Sequence, residues 1–394
     1  MRPQPFRAFP VFLAFLAMGF ADAAGPLVSQ AKEYFHVSNV AAQLVTFSGL
    51  LMFGVLSVPT SLFQDRQGKK TVLMLGLAVM FAGILSPAVR FLPGVEYTFP
   101  LFLITMLLLG AGATILQVAG NPIMRDVSAE GKYSRNLSMG QFVKAIGSLS
   151  GTLIPVVAVR YFGADKEAIF AIFPVYSVVL LIALLACLPL QVQEERSPER
   201  KSATFGSALA MLGNPYVAMM VFGLFLYVGA EVSVSSGIPL FLKERYQVDL
   251  TRFGLLGTMF FFLCLTVGRF FGGVILTWMK PRTFFLITCL ISIAGLLAVC
   301  SPGEVTAWTG FCLIGLGFAN IFPLIFSIVI DKMPEHSNEL SGLMVMAIVG
   351  GAVVPLARGL VADQFSQQVA FTVPLLCLVF ITWTAVMNLR ASRA

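Results

Sequence analysis

Twelve stretches of this chain are apolar for long enough to cross a hydrocarbon layer, and that repetition constrains the fold more than any single motif. A helix rises 1.5 Å per residue, so about 20 apolar residues match the ~30 Å core of a bilayer. The stretches run near 9–31, 40–63, 71–92, 98–124, 137–161, 168–190, 214–242, 253–277, 283–301, 305–330, 340–362 and 368–389. Backbone polar groups in lipid must be satisfied within each segment, which leaves helices for segments of this length. Only 11% of the 394 residues are charged and 58% are hydrophobic, against roughly 25% charged in soluble domains. The expected class is an all-α, multi-span membrane protein embedded in a lipid bilayer.

The net charge of +7 does not indicate nucleic acid, because no basic tract or aromatic-interleaved patch carries it. It follows instead from sidedness. With the N-terminus inside, sixteen of the 26 Lys and Arg residues fall in inner loops and seven in outer loops. By the positive-inside rule both termini are expected in the cytoplasm of a cell with the protein in its inner membrane. Arg2 and Arg7 before the first apolar run resemble a signal peptide, but the run is too long and carries Asp22, so a retained first helix is expected.

The three cations left over, Lys144, Arg269 and Arg358, lie inside spans, as do Asp22 and Glu231. A charged group at the bilayer centre costs at least ~2.5 kcal/mol unless paired, so each is a functional candidate. Asp22 sits midway along span one among small residues, Gly19 to Gly25. Lys144 lies about two turns into span five, where it can snorkel to the inner surface or pair with a carboxylate; Asp22 is the nearest candidate in the same half. Gln117, Asn121, Gln141 and Asn320 add neutral amides, each both donor and acceptor. Sugar hydroxyls need that combination, and Phe142 and Tyr227 offer flat faces for a ring. Arg358, toward the outer end of span eleven, is expected to gate or snorkel.

Other chemistry is not expected. The six cysteines fall within apolar segments with no CxxC spacing, and His36 and His336 lie in loops, so neither a metal site nor a cofactor is expected. No nucleophile–base pair or phosphate loop can be assembled, which argues against an enzyme. Gly110 to Gly112, Gly147 to Gly151 and Gly268 to Gly272 read as close helix packing.

The chain divides and repeats. The polar connection 191–213, containing the run QEERSPERK, separates an N-terminal six-span bundle (1–190) from a C-terminal one (214–394). Lys70, Thr71 and Ala82 to Leu85 match Arg282, Thr283 and Ala294 to Leu297 at a constant offset; Gly140, Val143, Ala145 and Ile146 match Gly342, Val345, Ala347 and Ile348 at another. Weak internal symmetry is the mark of transporters built from duplicated bundles.

Several motifs then carry a resemblance. FQDRQGKK (Phe63 to Lys70) looks like the cytoplasmic signature loop of the major facilitator superfamily, with Asp65, Arg66 and Gly68 expected to act as a gate latch and Gly268-Arg269 as its degenerate counterpart. YVGAEVSVSSGIPLFL (Tyr227 to Leu242), GRFFGG (Gly268 to Gly273), NIFPLIFSIVI (Asn320 to Ile330), MVMAIVGGAVVPLARGLVAD (Met344 to Asp363) and QVAGNP (Gln117 to Pro122) resemble the fucose:proton symporter family and its glucose/galactose transporter relatives. The resemblance implies a monomeric twelve-helix carrier importing a neutral monosaccharide with a proton. Asp22 and Lys144 are then expected to couple the proton, and Gln117, Asn121, Gln141, Lys144, Tyr227, Glu231 and Asn320 to meet the sugar. Two positions depart from the family pattern: Gln117 stands where relatives carry an acid, and Lys144 where they carry an asparagine. The alternative they raise is an acidic sugar or small organic anion held by Lys144.

Overall fold

The computed structural model describes residues 9–94, 96–162, 170–192, 204–247 and 255–390. Arg2, Arg7, Lys166, Arg252, Arg393 and the QEERSPERK run of the connection lie outside the described residues. Helices follow one another along the described chain: α1 (Phe9–Met18), α2 (Ala24–Phe35), α3 (Asn39–Gln67), α4 (Lys69–Leu85), α5 (Phe99–Asp126), α6 (Tyr133–Phe162), α7 (Ile172–Cys187) and α8 (Phe205–Ala210). After the connection come α9 (Pro215–Tyr246), α10 (Leu255–Ile275), α11 (Pro281–Cys300), α12 (Glu304–Phe318), α13 (Ile321–Lys332), α14 (Ser337–Met346), α15 (Gly350–Gln364), α16 (Gln367–Ala370) and α17 (Thr372–Arg390). Each of the twelve expected spans has a helical counterpart. Among the described residues nine are long and apolar enough to cross a bilayer, and Phe9–Asp22 and Ile172–Cys187 are shorter apolar helices.

Three spans are interrupted where a continuous helix is the simplest expectation. Span one breaks at a 3-10 turn, Gly19–Ala23; span ten breaks between Phe318 and Ile321; span eleven breaks at Ala347–Val349. Irregular backbone at membrane depth frees carbonyls and N–H groups, so it survives only where side chains or ligands meet them. Asp22 lies in the first of these breaks and Asn320 in the second.

Short-range chemistry sets the helix ends. Ser38 caps α3 by accepting from the Ala41 N–H at 3.2 Å, and Asn214 caps α9 by accepting from Tyr216 N–H at 2.9 Å. Gly68 joins α3 to α4 with φ +90°, a left-handed value that a Cβ disfavours, while its N–H still closes onto the Gln64 carbonyl at 2.8 Å.

The contacts group the chain into two compact units. One holds Met1–Ala129, Val143–Ala208 and Glu335–Met346; the other holds Glu130–Phe142, Leu209–Pro334 and Ala347–Ala394. The first unit therefore packs α14, from late in the chain, against α3 and α5. There Asn338 bridges Gln64 (2.9 Å) and Asp65 (3.2 Å), and the Ser341 hydroxyl donates to the Val118 carbonyl at 2.7 Å. The second unit takes the opening turns of α6, where the Ser134 and Ser327 hydroxyls are 2.8 Å apart and the Phe142 and Phe270 rings 5.4 Å apart.

Candidate functional site

In the first unit, the turn between α1 and α2 lies against α6. The fit depends on two glycines: a Cβ on Gly19 would stand 2.2 Å from the Lys144 carbonyl oxygen, and one on Gly147 would stand 2.2 Å from the Leu16 carbonyl oxygen. With the backbones this close, short side chains reach across. The Ser148 hydroxyl donates to Asp22 Oδ2 at 2.7 Å, and Lys144 Nζ stands 3.5 Å from the same oxygen. The Lys144 side chain is 14% exposed and that of Asp22 44%, so the pair is open on the carboxylate side. Beside it Phe20 stacks on Tyr176 with ring centres 3.7 Å apart, and the Tyr176 and Ser150 hydroxyls are 3.0 Å apart. Gln117 and Asn121, one turn apart on α5, are buried.

In the second unit, five of the residues expected to serve the site come together around α10: Gln141, Tyr227, Glu231, Arg269 and Asn320. Tyr227 and Glu231 are hydrogen-bonded on one face of α9, and the Tyr227 hydroxyl also meets the Phe318 carbonyl at 2.9 Å. Arg269, expected in the gate, lies inside α10 with its guanidinium 3.5 Å from the Gln141 carbonyl and its charge near the Tyr227 phenol. The Asn320 amide donates to the Gly268 carbonyl at 2.8 Å and lies flat on Gly272, whose Cβ position it would occupy. Three buried polar atoms in this cluster have no hydrogen-bond partner among the described residues: Gln141 Nε2, Arg269 Nε and Asn320 Oδ1. Each unmet group costs about 1–3 kcal/mol, which a hydroxyl-bearing ligand would recover.

Comparison with known proteins bears on what such clusters serve. The family model for the Major Facilitator Superfamily matches residues 11–354. The chain belongs to this superfamily. A glucose/galactose transporter of Brucella abortus is 29% identical over 395 residues, 96% of this chain and 93% of that one. The L-fucose-proton symporter of Escherichia coli is 22% identical over 381 residues, covering 89% and 85%. The crystal structure of a superfamily transporter, FucP, in the outward conformation has a TM-score of 0.82 at 21% identity over 98% of both chains. The protein is thus a multi-pass membrane transporter and not an enzyme.

For a superfamily carrier the charged turn after α3 is built as a lattice of polar contacts. Asp65 holds Asn338 from α14, as above, and next to the Gly68 turn Lys69 Nζ bonds Asp126 Oδ2 at 2.6 Å with both side chains under 10% exposed. Lys70 donates to the Leu188 carbonyl at 2.6 Å. Arg66 is on the last turn of α3, where its charge complements the helix dipole. Arg358 is 3% exposed, donates to Gln367 at 2.7 Å, and lies 5.2 Å from the Phe371 ring centre while filling the space over Gly237. The sequence reading did not single out Ser148, Asn338 or Asp126. Ser148 alone had a readable signal, since it is one turn beyond Lys144 on the same face.

Proposed function

We propose that this transporter imports a neutral monosaccharide together with a proton by alternating access of two six-span bundles, 1–190 and 214–394, joined by a cytoplasmic linker. The observation that carries the substrate class is the trio of orphaned buried groups on Gln141, Arg269 and Asn320 beside Tyr227. They present donors and an acceptor that a polyhydroxyl compound satisfies and an apolar drug does not. Gln117 and Asn121 offer the same chemistry in the other unit. The names of the glucose/galactose and L-fucose-proton relatives support this reading.

Coupling rests on Asp22. When it takes a proton from outside, its attraction for Lys144 falls, and the ammonium is released toward sugar hydroxyls. Proton loss to the cytoplasm re-forms the 3.5 Å pair and resets the carrier. One proton moving down 100 mV supplies about 2.3 kcal/mol, enough for a sugar gradient of about 50-fold. The protein works as a monomer in an inner membrane with both termini cytoplasmic.

Proteoliposome uptake of a sugar panel, with and without an imposed pH gradient, tests the reading. Asp22→Asn should retain counterflow exchange and lose accumulation. Accumulation that survives in Asp22→Asn rules this coupling scheme out. The largely covered ammonium of Lys144 favours a second reading, an acidic sugar or small organic anion. In that case uronic or sialic acids would compete where neutral hexoses do not, and Lys144→Ala would lose the anion alone.

A further inference from the structure

The phenol of Tyr227 is asked for more hydrogens than it has. Its oxygen meets the Glu231 carboxyl and the Phe318 main-chain carbonyl, the latter at 2.9 Å, with the charge of Arg269 nearby. A phenol carries one O–H. With Glu231 ionised, both the carboxylate and the Phe318 carbonyl require that hydrogen, and one goes without. With Glu231 in its acid form, the carboxyl O–H donates to the phenol oxygen, the phenol donates to Phe318, and each donor has an acceptor.

The carbonyl at stake has a structural position. Phe318 ends α12, and the last carbonyls of a helix have no intrahelical N–H to meet. The chain turns through Ala319 and Asn320 before α13 resumes the span. Tyr227, fully buried, therefore caps the break in span ten only when Glu231 does not claim its hydrogen.

We propose that Glu231, Tyr227 and Arg269 form a second proton-binding site, and that its occupancy is read at the break between α12 and α13. On deprotonation the Glu231 O–H bond breaks, the proton leaves to water, and Tyr227 rotates its hydrogen from the Phe318 carbonyl to the new carboxylate. Arg269 then faces an anion and draws toward it, away from the Gln141 carbonyl. No other bond changes. The other elements on α9 bring no charge to this level: α13 carries Asp331 and Lys332 only in its last two positions, α17 carries Arg390 at its end, and Arg358 and Asp363 of α15 lie beyond, Arg358 packing on Gly237. The 3-10 turn Ala347–Val349 has no titratable side chain. The site deepens the carrier reading but does not depend on Asp22 being the coupled residue.

Infrared difference spectroscopy of the purified full-length protein across a pH titration, with no sugar present, tests it. One titrating carboxylic-acid band should vanish in Glu231→Gln, persist in Asp22→Asn, and change frequency in Tyr227→Phe, where the acid loses its phenol acceptor. A full set of titrating bands in Glu231→Gln overturns the proposal. So does an unshifted spectrum in Tyr227→Phe, a variant that leaves the carboxyl in place and does not rely on Glu231→Gln folding. Because sugar is absent, the outcome is independent of the uptake experiments that test the substrate and Asp22.

Discussion

Gly147→Ala isolates the contact on which the Asp22–Lys144 pair depends. The added methyl would stand 2.2 Å from the Leu16 carbonyl oxygen and 3.3 Å from the Gly19 Cα, both backbone atoms that cannot rotate aside. A carbon-to-oxygen contact normally rests near 3.3–3.6 Å, so α1 and α6 must separate by about 1 Å. Overpacking of this kind costs about 1–3 kcal/mol. The same movement carries Lys144 Nζ from 3.5 Å to beyond ion-pair range of Asp22, and it stretches the 2.7 Å Ser148 bond past usefulness. The expected phenotype is a lower melting temperature in detergent and weak pH-gradient-driven accumulation, with counterflow less affected. Gly359→Ala is the matched control: nothing lies within 4 Å of its Cβ position, so the substitution should be neutral or stabilising by up to ~1 kcal/mol through helix propensity. If Gly147→Ala melts like wild type and accumulates sugar normally, the close approach does not position the pair and the reasoning fails.

Two further outcomes follow from the same geometry. Ser148→Ala removes a hydrogen bond to a carboxylate worth about 1.5–3 kcal/mol in burial and less here, since Asp22 is 44% exposed; steady-state accumulation should fall while exchange continues, and Ser148→Thr should restore it. Lys69→Ala removes the 2.6 Å charge-assisted bond to Asp126 at a site where both side chains are under 10% exposed and should cost about 1.5–3 kcal/mol, read as a fall in folded yield, whereas the double variant Lys69→Ala, Asp126→Ala should recover part of it.

Hydropathy made the spans legible because the bilayer prices every residue in a segment alike, and twelve such segments survive errors at their edges. The breaks within spans one, ten and eleven escape hydropathy, since a turn that adds at most one polar residue, Asp22 or Asn320, to small and apolar ones hardly lowers the mean over a whole span. Polar residues in spans could be picked out individually, as Asp22, Lys144, Tyr227 and Glu231 were. Their partners could not: Asn338 and Asp65 are 273 residues apart, and Lys69 and Asp126 are 57 apart, separations that no periodicity encodes. The repeat that points to Arg269 as a gate residue says nothing of its approach to the Gln141 carbonyl, 128 residues away in sequence.

The late arrival of α14 bears on biosynthesis. The first unit draws on Glu335–Met346, so its packing is incomplete when the ribosome reaches the linker. At 5–20 residues per second the missing helix follows on the order of ten seconds later. During that interval the Ser341–Val118 and Asn338–Asp65 bonds are unmade. The N-terminal half expressed alone should accordingly be prone to degradation, and rescue in trans should require a C-terminal fragment that still carries residues 335–346.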